Sequence, residues 1–306
     1  MTVGERVKVF YNIDLGLLNR LHPFDGRKFR RVVEGLSGVA GVDMVDVPAP
    51  IDPSAIDRFA SPLFRKLLAR RRYVLQALEV PWLPLPLSFL DRRILAPMRW
   101  GVAGTLAAAR AALARADGWN LSGGYHHASR TDAEGFCVYN DIGIAVQVLR
   151  ESGELAEADE LLIIDVDAHH GNGNARVFME DRRVRILDIY NNRIYPNSPF
   201  TKRRVDIDLP LPMGASGEHY LERLSHGLAQ LQAGARLAFV VAGTDVLASD
   251  PLGGLALSIE DCVERDRRVW QRLRQLCIPG VFVGGGGYGP DSATAITRSL
   301  IANATP

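Results

Sequence analysis

Short apolar runs recur along the chain, with room for a helix between most of them. Val7–Tyr11, Val42–Val47, Leu161–Val166, Val184–Ile189, Leu237–Ala242 and Val281–Val283 read as strands, several without in/out alternation. Such runs suit a parallel sheet covered on both faces. The intervening periodicity predicts helices over Gly26–Leu36, Met98–Ala116, Asp141–Glu151, Gly217–Gln232, Ser258–Leu276 and Pro290–Ala302. Strand and helix in alternation build a three-layer α/β/α domain, and sheets of that kind bind ligands beyond the carboxyl ends of their strands. The polar motifs described below follow those ends.

Punctuation is sparse. Pro48–Pro53 and Pro81–Pro86 read as ordered loops rather than flexible linkers, and no internal repeat is evident, so one domain is expected over residues 1–306. The chain has 306 residues, 47% of them hydrophobic and 23% charged, with a net charge of +1. That balance gives no global reason to expect nucleic acid or a membrane surface as a partner. The cluster Arg65, Lys66, Arg70, Arg71 and Arg72 reads as a solvated helix face. Cys137, Cys262 and Cys277 show no CxxC spacing, and MTVGERVKVF is not a signal peptide, so a cytoplasmic protein is expected.

Candidate chemistry is concentrated at four places. In Ile163–Gly173 (IIDVDAHHGNG) an apolar strand runs into Asp165, Asp167 and His169, which alternate and can converge. Carboxylate oxygen with imidazole nitrogen suits a divalent first-row metal. Ser122–Ala128 carries the tandem histidines His126 and His127 after two glycines. Ala242–Asp245 places an aspartate after another strand, where it could equally cap a helix. Gly284–Gly289 sets Tyr288 among glycines; no lysine-bearing phosphate loop accompanies them, so the glycines are read as letting a tyrosine reach a cavity.

Taken together, the four elements resemble the histone deacetylase superfamily, most nearly its class IV branch and bacterial homologues. Supporting stretches are YNIDLGLLNRLHPFDGRKF, GGYHHA, EGFCVYNDI, IIDVDAHHGNG, ILDIYNNRIYPNS, AGTDVLASDPLGGLALS and GGGGYG, spanning residues 11 to 289. The resemblance implies the arginase/deacetylase fold, with a central, mostly parallel sheet of roughly eight strands. It implies zinc held by Asp167, His169 and Asp245, with ferrous iron a second candidate. His126 and His127 match general acid/base histidines, His127 the main one; Asp165 orients His126, and Asn172 partners His127. Some branches have aspartate where this chain has Asn172, so a less basic His127 is expected.

The same resemblance makes Tyr288 the donor to the oxyanion. It places Gly124, Gly135, Phe136 and Tyr195 along an acyl-lysine channel, with Phe136 and Tyr195 sandwiching the lysine stem and Leu252 as an apolar wall. Cys137 falls near the acyl pocket. Asp165, Asp167 and Asp188 could share a structural K+ or Na+. A histidine common near Ala60 is missing, which is expected to reshape the surface entrance.

The implied activity is hydrolysis of an Nε-acyl-lysine in a protein or peptide, with acetyl and long fatty acyl chains both to be tested. An acetylpolyamine amidohydrolase is the close alternative. A binuclear manganese hydrolase of the arginase kind would need further aspartates after His169, where His, Gly and Asn stand. An acyl-lysine binding module without hydrolysis is the non-enzymatic alternative. A free-standing enzyme without nucleic-acid contacts or membrane span is expected.

Overall fold

The computed structural model describes residues 6–11 and 26–304. Most of the stretch that begins YNIDLGLL therefore lies outside the described residues. Eight strands form one sheet, all parallel: β1 (Val7–Phe10), β2 (Val42–Val45), β3 (Gly118–Asn120), β4 (Leu161–Asp165), β5 (Val184–Asn191), β6 (Ile207–Leu211), β7 (Leu237–Val241) and β8 (Gly280–Val283). Their order is β2-β1-β3-β8-β7-β4-β5-β6. Because every strand runs the same way, all the carboxyl ends meet at one edge of the sheet.

Unalternated strands require an apolar layer on both sides, and two core clusters supply it. Along β7, Leu237, Phe239 and Val241 join one cluster, while Ala238 and Val240 join the other. The first cluster is closed by α2 (Pro53–Phe59), α3 (Pro62–Leu68), α4 (Arg71–Ala77), α6 (Ala96–Leu113) and α7 (Asp141–Glu151). The second is closed by α1 (Arg27–Leu36), α10 (Gly217–Ala229), α11 (Ile259–Gln275) and α12 (Ser292–Ala304). This is the three-layer arrangement that the alternation of elements predicts.

The six strands and six helices read from the pattern are all present, α7 with the bounds read for it and the others with shifted ends. Strands β3 and β6 are additions. Only three residues long, β3 falls below any periodicity. On β6, exposed Asp208 and Pro210 interrupt the apolar positions, which an edge strand tolerates. Four short helices were also not predicted besides α2, α3 and α4: α5 (Leu87–Leu90), α8 (Asn172–Val177), α9 (Pro199–Lys202) and a π-helical turn over Asp91–Leu95 that leads into α6. Pro97, near the start of α6, has no N–H to donate, which suits a change of helical winding at this point.

Pro53 opens α2 with Asp52 as its cap, so only the first part of the Pro48–Pro53 loop stays irregular. The basic cluster is exposed on α3, α4 and the two residues between them. Ala60 is 5% exposed and belongs to the first core cluster, so the missing histidine there alters core packing rather than a surface entrance. No described helix is long and apolar enough to cross a membrane.

Candidate active site

Asp167, His169 and Asp245 come together at the shared strand edge and are buried. Their ligand atoms all lie within 4.8 Å of one another, and they are the one such cluster among the described residues. His169 Nδ1 stands 3.2 Å from Asp167 Oδ1 and 2.7 Å from Asp245 Oδ2. Backbone bonds fix the carboxylates: His169 N donates to Asp167 Oδ1, Ala168 N to Asp245 Oδ1 and Gly286 N to Asp167 Oδ2. Burial disfavours charge on His169, but bonds to Asp167 and Asp245 outweigh it and raise the imidazole to about 10. Three mutually close N and O donors with no cysteine are suited to a divalent ion that keeps an open position.

Gly286, in the run before Tyr288, serves the carboxylates as well as the tyrosine. A Cβ on Gly286 would lie 2.3 Å from Asp245 Oδ2, and the Gly286 amide bonds Asp167 as noted. Gly124 has φ of 72°, and a Cβ there would lie 2.4 Å from Gly285 N. Close packing explains both positions, against the aspartate side chains at Gly286 and against the Gly285 backbone at Gly124.

The tandem histidines follow β3. His126 Nδ1 meets Asp165 Oδ2 at 2.8 Å, and its Nε2 lies 3.7 Å from Asp167 Oδ1. Burial lowers His126, but the Asp165 and Asp167 charges more than reverse this and lift it to about 9. His127 Nδ1 meets Asn172 Oδ1 at 2.7 Å. His127 is held well below the ordinary histidine value, first by burial and then by neighbouring His126 and His169. One ring therefore favours the cation and the other the neutral base. Such divergence is characteristic of acid/base sites.

Beside the triad lies a cavity of about 80 Å³. His126, His127, Gly124, Gly135, Phe136, Cys137 and Tyr288 line it, together with apolar Leu78, Ile94 and Met98 and with Arg93. Burial raises the Tyr288 hydroxyl well above the usual tyrosine value, with Asp245 and Asp167 adding to the effect, so it stays a protonated donor. The Phe136 ring packs edge-on against Tyr288 at 5.8 Å. Tyr195 is 42% exposed and packs edge-on to His127 at 5.2 Å. Leu252 is not among the lining residues; its amide is bonded to Asp250. Asp188 lies opposite Asp165 on the neighbouring strand, and Asp188 Oδ2 accepts from Gly171 N and faces His170 Nδ1 at 2.6 Å.

Several supporting residues were given no role by the sequence, whether inside the quoted stretches (Asp250, Asp141, Glu134) or outside them (Arg265, Glu79). Asp250 Oδ2 accepts from the amides of Tyr288 and Gly289 at 2.6 and 2.9 Å, which fixes the tyrosine backbone. Arg265, fully buried on α11, donates to the carbonyls of Val166 and Gly243, just ahead of the metal-site aspartates. Asp141 accepts from the amides of Gly124 and Tyr125. Glu79 takes a left-handed backbone (φ 56°), and its carboxyl is raised by burial and lowered by the charge of His169. Glu134 bonds Asn172, Arg176 and Tyr195 at once.

Residues 74–304 match the histone deacetylase domain, three-quarters of the chain. The chain belongs to the histone deacetylase family. Histone deacetylase 2 of Arabidopsis thaliana is 33% identical over 297 residues, covering 95% of this chain and 76% of that protein. An acetylpolyamine amidohydrolase of Burkholderia pseudomallei is 31% identical over 186 residues, covering 57% of this chain and 52% of its own. A crystal structure titled as an HDAC homologue complexed with SAHA superimposes with a TM-score of 0.76 at 20% identity, covering 98% of this chain and 84% of that one. The deacetylase fold is thus shared along nearly the whole length. This family member is an amidohydrolase of the deacetylase type, with a buried Asp–His–Asp site fit for a metal.

Proposed function

We propose that the chain is a zinc-dependent deacylase that hydrolyses Nε-acyl-lysine to the free amine and a carboxylate. The observation carrying this reading is the buried Asp167–His169–Asp245 cluster beside two histidines of opposed basicity. Two carboxylates and one imidazole suit zinc, with ferrous iron next. When bound, the metal lowers the pKa of water and polarises the amide carbonyl.

The rest falls to side chains. Asp165 accepts from His126 Nδ1 and fixes that ring, whose positive charge balances the local carboxylates. His127, kept neutral, takes a proton from the attacking water and returns it to the departing amine. Tyr288 donates its hydroxyl to the oxygen on which negative charge develops. Gly124, Gly135 and Phe136 border the acyl group.

The cavity has room enough to include chains longer than acetyl in the proposal. A single water needs only about 10–15 Å³ of such space, and this cavity offers about 80 Å³ bounded by Leu78, Ile94 and Met98. A fatty acyl group is therefore proposed among the substrates beside acetyl. An acetylated polyamine is the second reading, supported by the Glu79 carboxyl within electrostatic reach of His169, which could meet a cationic tail. Asp188 Oδ1 is buried without a hydrogen-bond partner beside Asp165, and this orphaned oxygen supports a K+ or Na+ shared by Asp165, Asp167 and Asp188. The three free thiols fit a cytoplasmic enzyme.

The test is parallel turnover of acetyl-lysine peptide, myristoyl-lysine peptide and acetylspermidine by zinc-loaded protein. Cleavage of the lysine peptides, with myristoyl at least as good as acetyl, is expected. Exclusive turnover of acetylspermidine would replace this reading with the polyamine one.

A further inference from the structure

Glu134, the first residue of the EGFCVYNDI stretch and given no role by it, joins His127 to Tyr195 through Asn172. Its Oε1 accepts from Asn172 Nδ2 at 2.7 Å and from Arg176 Nη1 at 2.5 Å, and its Oε2 accepts from the Tyr195 hydroxyl at 2.7 Å. Paired backbone bonds hold it in place, Glu134 N to Cys137 O and Cys137 N to Glu134 O. The same turn carries Gly135 and Phe136 in left-handed conformations, so the segment that lines the cavity also presents Glu134.

Hydrogen-bond accounting then determines a proton position. An ionised carboxylate only accepts, so the face of the Asn172 amide turned to Glu134 must be its NH₂. The amide oxygen is left facing His127 Nδ1 at 2.7 Å. That oxygen also only accepts, so Nδ1 must carry hydrogen, and in the neutral ring Nε2 then keeps its lone pair. Without Glu134 the amide could turn over, offer NH₂ to Nδ1 and favour the opposite tautomer. Such a ring could not accept a proton at Nε2.

We propose that Glu134 is a positioning residue that, by fixing the Asn172 amide, holds His127 in the Nδ1–H tautomer required of the proton acceptor. The Glu134–Arg176 pair considered alone is partly exposed, 26% and 31%, and a pair of that kind stabilises little. The role lies in orientation. Branches with aspartate in place of Asn172 need no such device, because a carboxylate accepts from Nδ1 whichever oxygen faces it.

The inference rests on the deacylase reading only in giving His127 the proton-transfer role; the tautomer can be read without turnover. Nitrogen-15 NMR of histidine-labelled protein should show His127 as the Nδ1–H form in the wild type, and an increased Nε2–H fraction in Glu134→Ala. A wild-type ring in the Nε2–H form overturns the proposal, even if the variant fails to fold. In turnover, Glu134→Ala should lower kcat roughly 10- to 100-fold, the range typical of residues that orient an active-site ligand. Glu134→Gln should recover most of the rate, since its amide oxygen can still accept from Asn172. In an Asn172→Asp background, Glu134→Ala should cause no further loss. An equal loss in both backgrounds, or an unchanged tautomer in Glu134→Ala, would overturn the inference. Absence of hydrolysis on any acyl-amine would count against the deacylase reading and leave the tautomer result standing.

Discussion

His169 Nδ1 lies 2.7 Å from Asp245 Oδ2, although the residues are 76 positions apart. Sheet register brings this about. Asp165 on β4 is paired with Val241 on β7, and each metal-site residue lies four positions farther on, 165 to 169 and 241 to 245. Two parallel neighbours thus deliver an imidazole and a carboxylate to the same height above the sheet. The buried Arg265 ties both strand exits together through the carbonyls of Val166 and Gly243.

Tyr288→Phe should lower kcat by about a hundred-fold or more while changing KM little, because in the proposed reaction its hydroxyl acts on charge that develops only on the way to the transition state. Steady-state kinetics on an acyl-lysine peptide checks this. A variant with wild-type kcat would remove Tyr288 from the chemistry.

Asn172→Asp should move the acid limb of the kcat/KM profile to higher pH. His127 is depressed by burial and by its histidine neighbours, so the wild-type limb should lie below the ordinary histidine value of about 6.5. A negative charge near Nδ1 favours the imidazolium, raises the pKa and requires a higher pH to free the base. A shift of about one unit or more is expected. An unmoved limb would contradict the pairing of Asn172 with His127.

Gly135→Ala should damage both stability and rate. The position has φ of 55°, and a Cβ would come within 2.5 Å of His127 Cδ2 and 3.1 Å of Tyr195 Cε1. Left-handed backbone costs a non-glycine residue roughly 1–2 kcal/mol. Displacing a catalytic ring by about 1 Å can cost about a hundred-fold in rate. Thermal unfolding and kcat, measured together, test both effects.

Native-state alkylation should label Cys277 alone. Cys277 is exposed, whereas burial drives the Cys137 thiol upward and raises Cys262 to about 12, so both stay protonated and inert near neutral pH. Mass spectrometry should find one adduct in native protein and three after denaturation. Rapid labelling of native Cys137 would mean the cavity opens more than the structure indicates.

Much of this architecture is legible in the chain because it depends on local signals. Unalternated runs such as LLIID and LAFVV mark a doubly covered parallel sheet, and strand ends followed by Asp, His or Gly mark its functional edge. What escapes is set by tertiary context. Strand β6 contains Asp208 and Pro210 because an edge strand needs neither a second apolar face nor every amide, and β3 is too short to show a period. Glu134, Asp250 and Arg265 look like ordinary charged residues; only the fold brings them to Asn172, to the Tyr288 amide and to the carbonyls preceding the metal-site aspartates. The ring partners of Phe136 and Tyr195, Tyr288 and His127, likewise come only from the fold.

On the proposed reading, a single metal at Asp167, His169 and Asp245 is required for amide hydrolysis. Elemental analysis alongside acetyl-lysine peptide turnover, on wild-type protein and Asp245→Ala, tests it most directly. The predicted result is one equivalent of zinc per active wild-type chain, with metal and turnover lost together in the variant and turnover restored to chelated wild type by zinc. Undiminished hydrolysis by metal-free protein, or by Asp245→Ala, would contradict it.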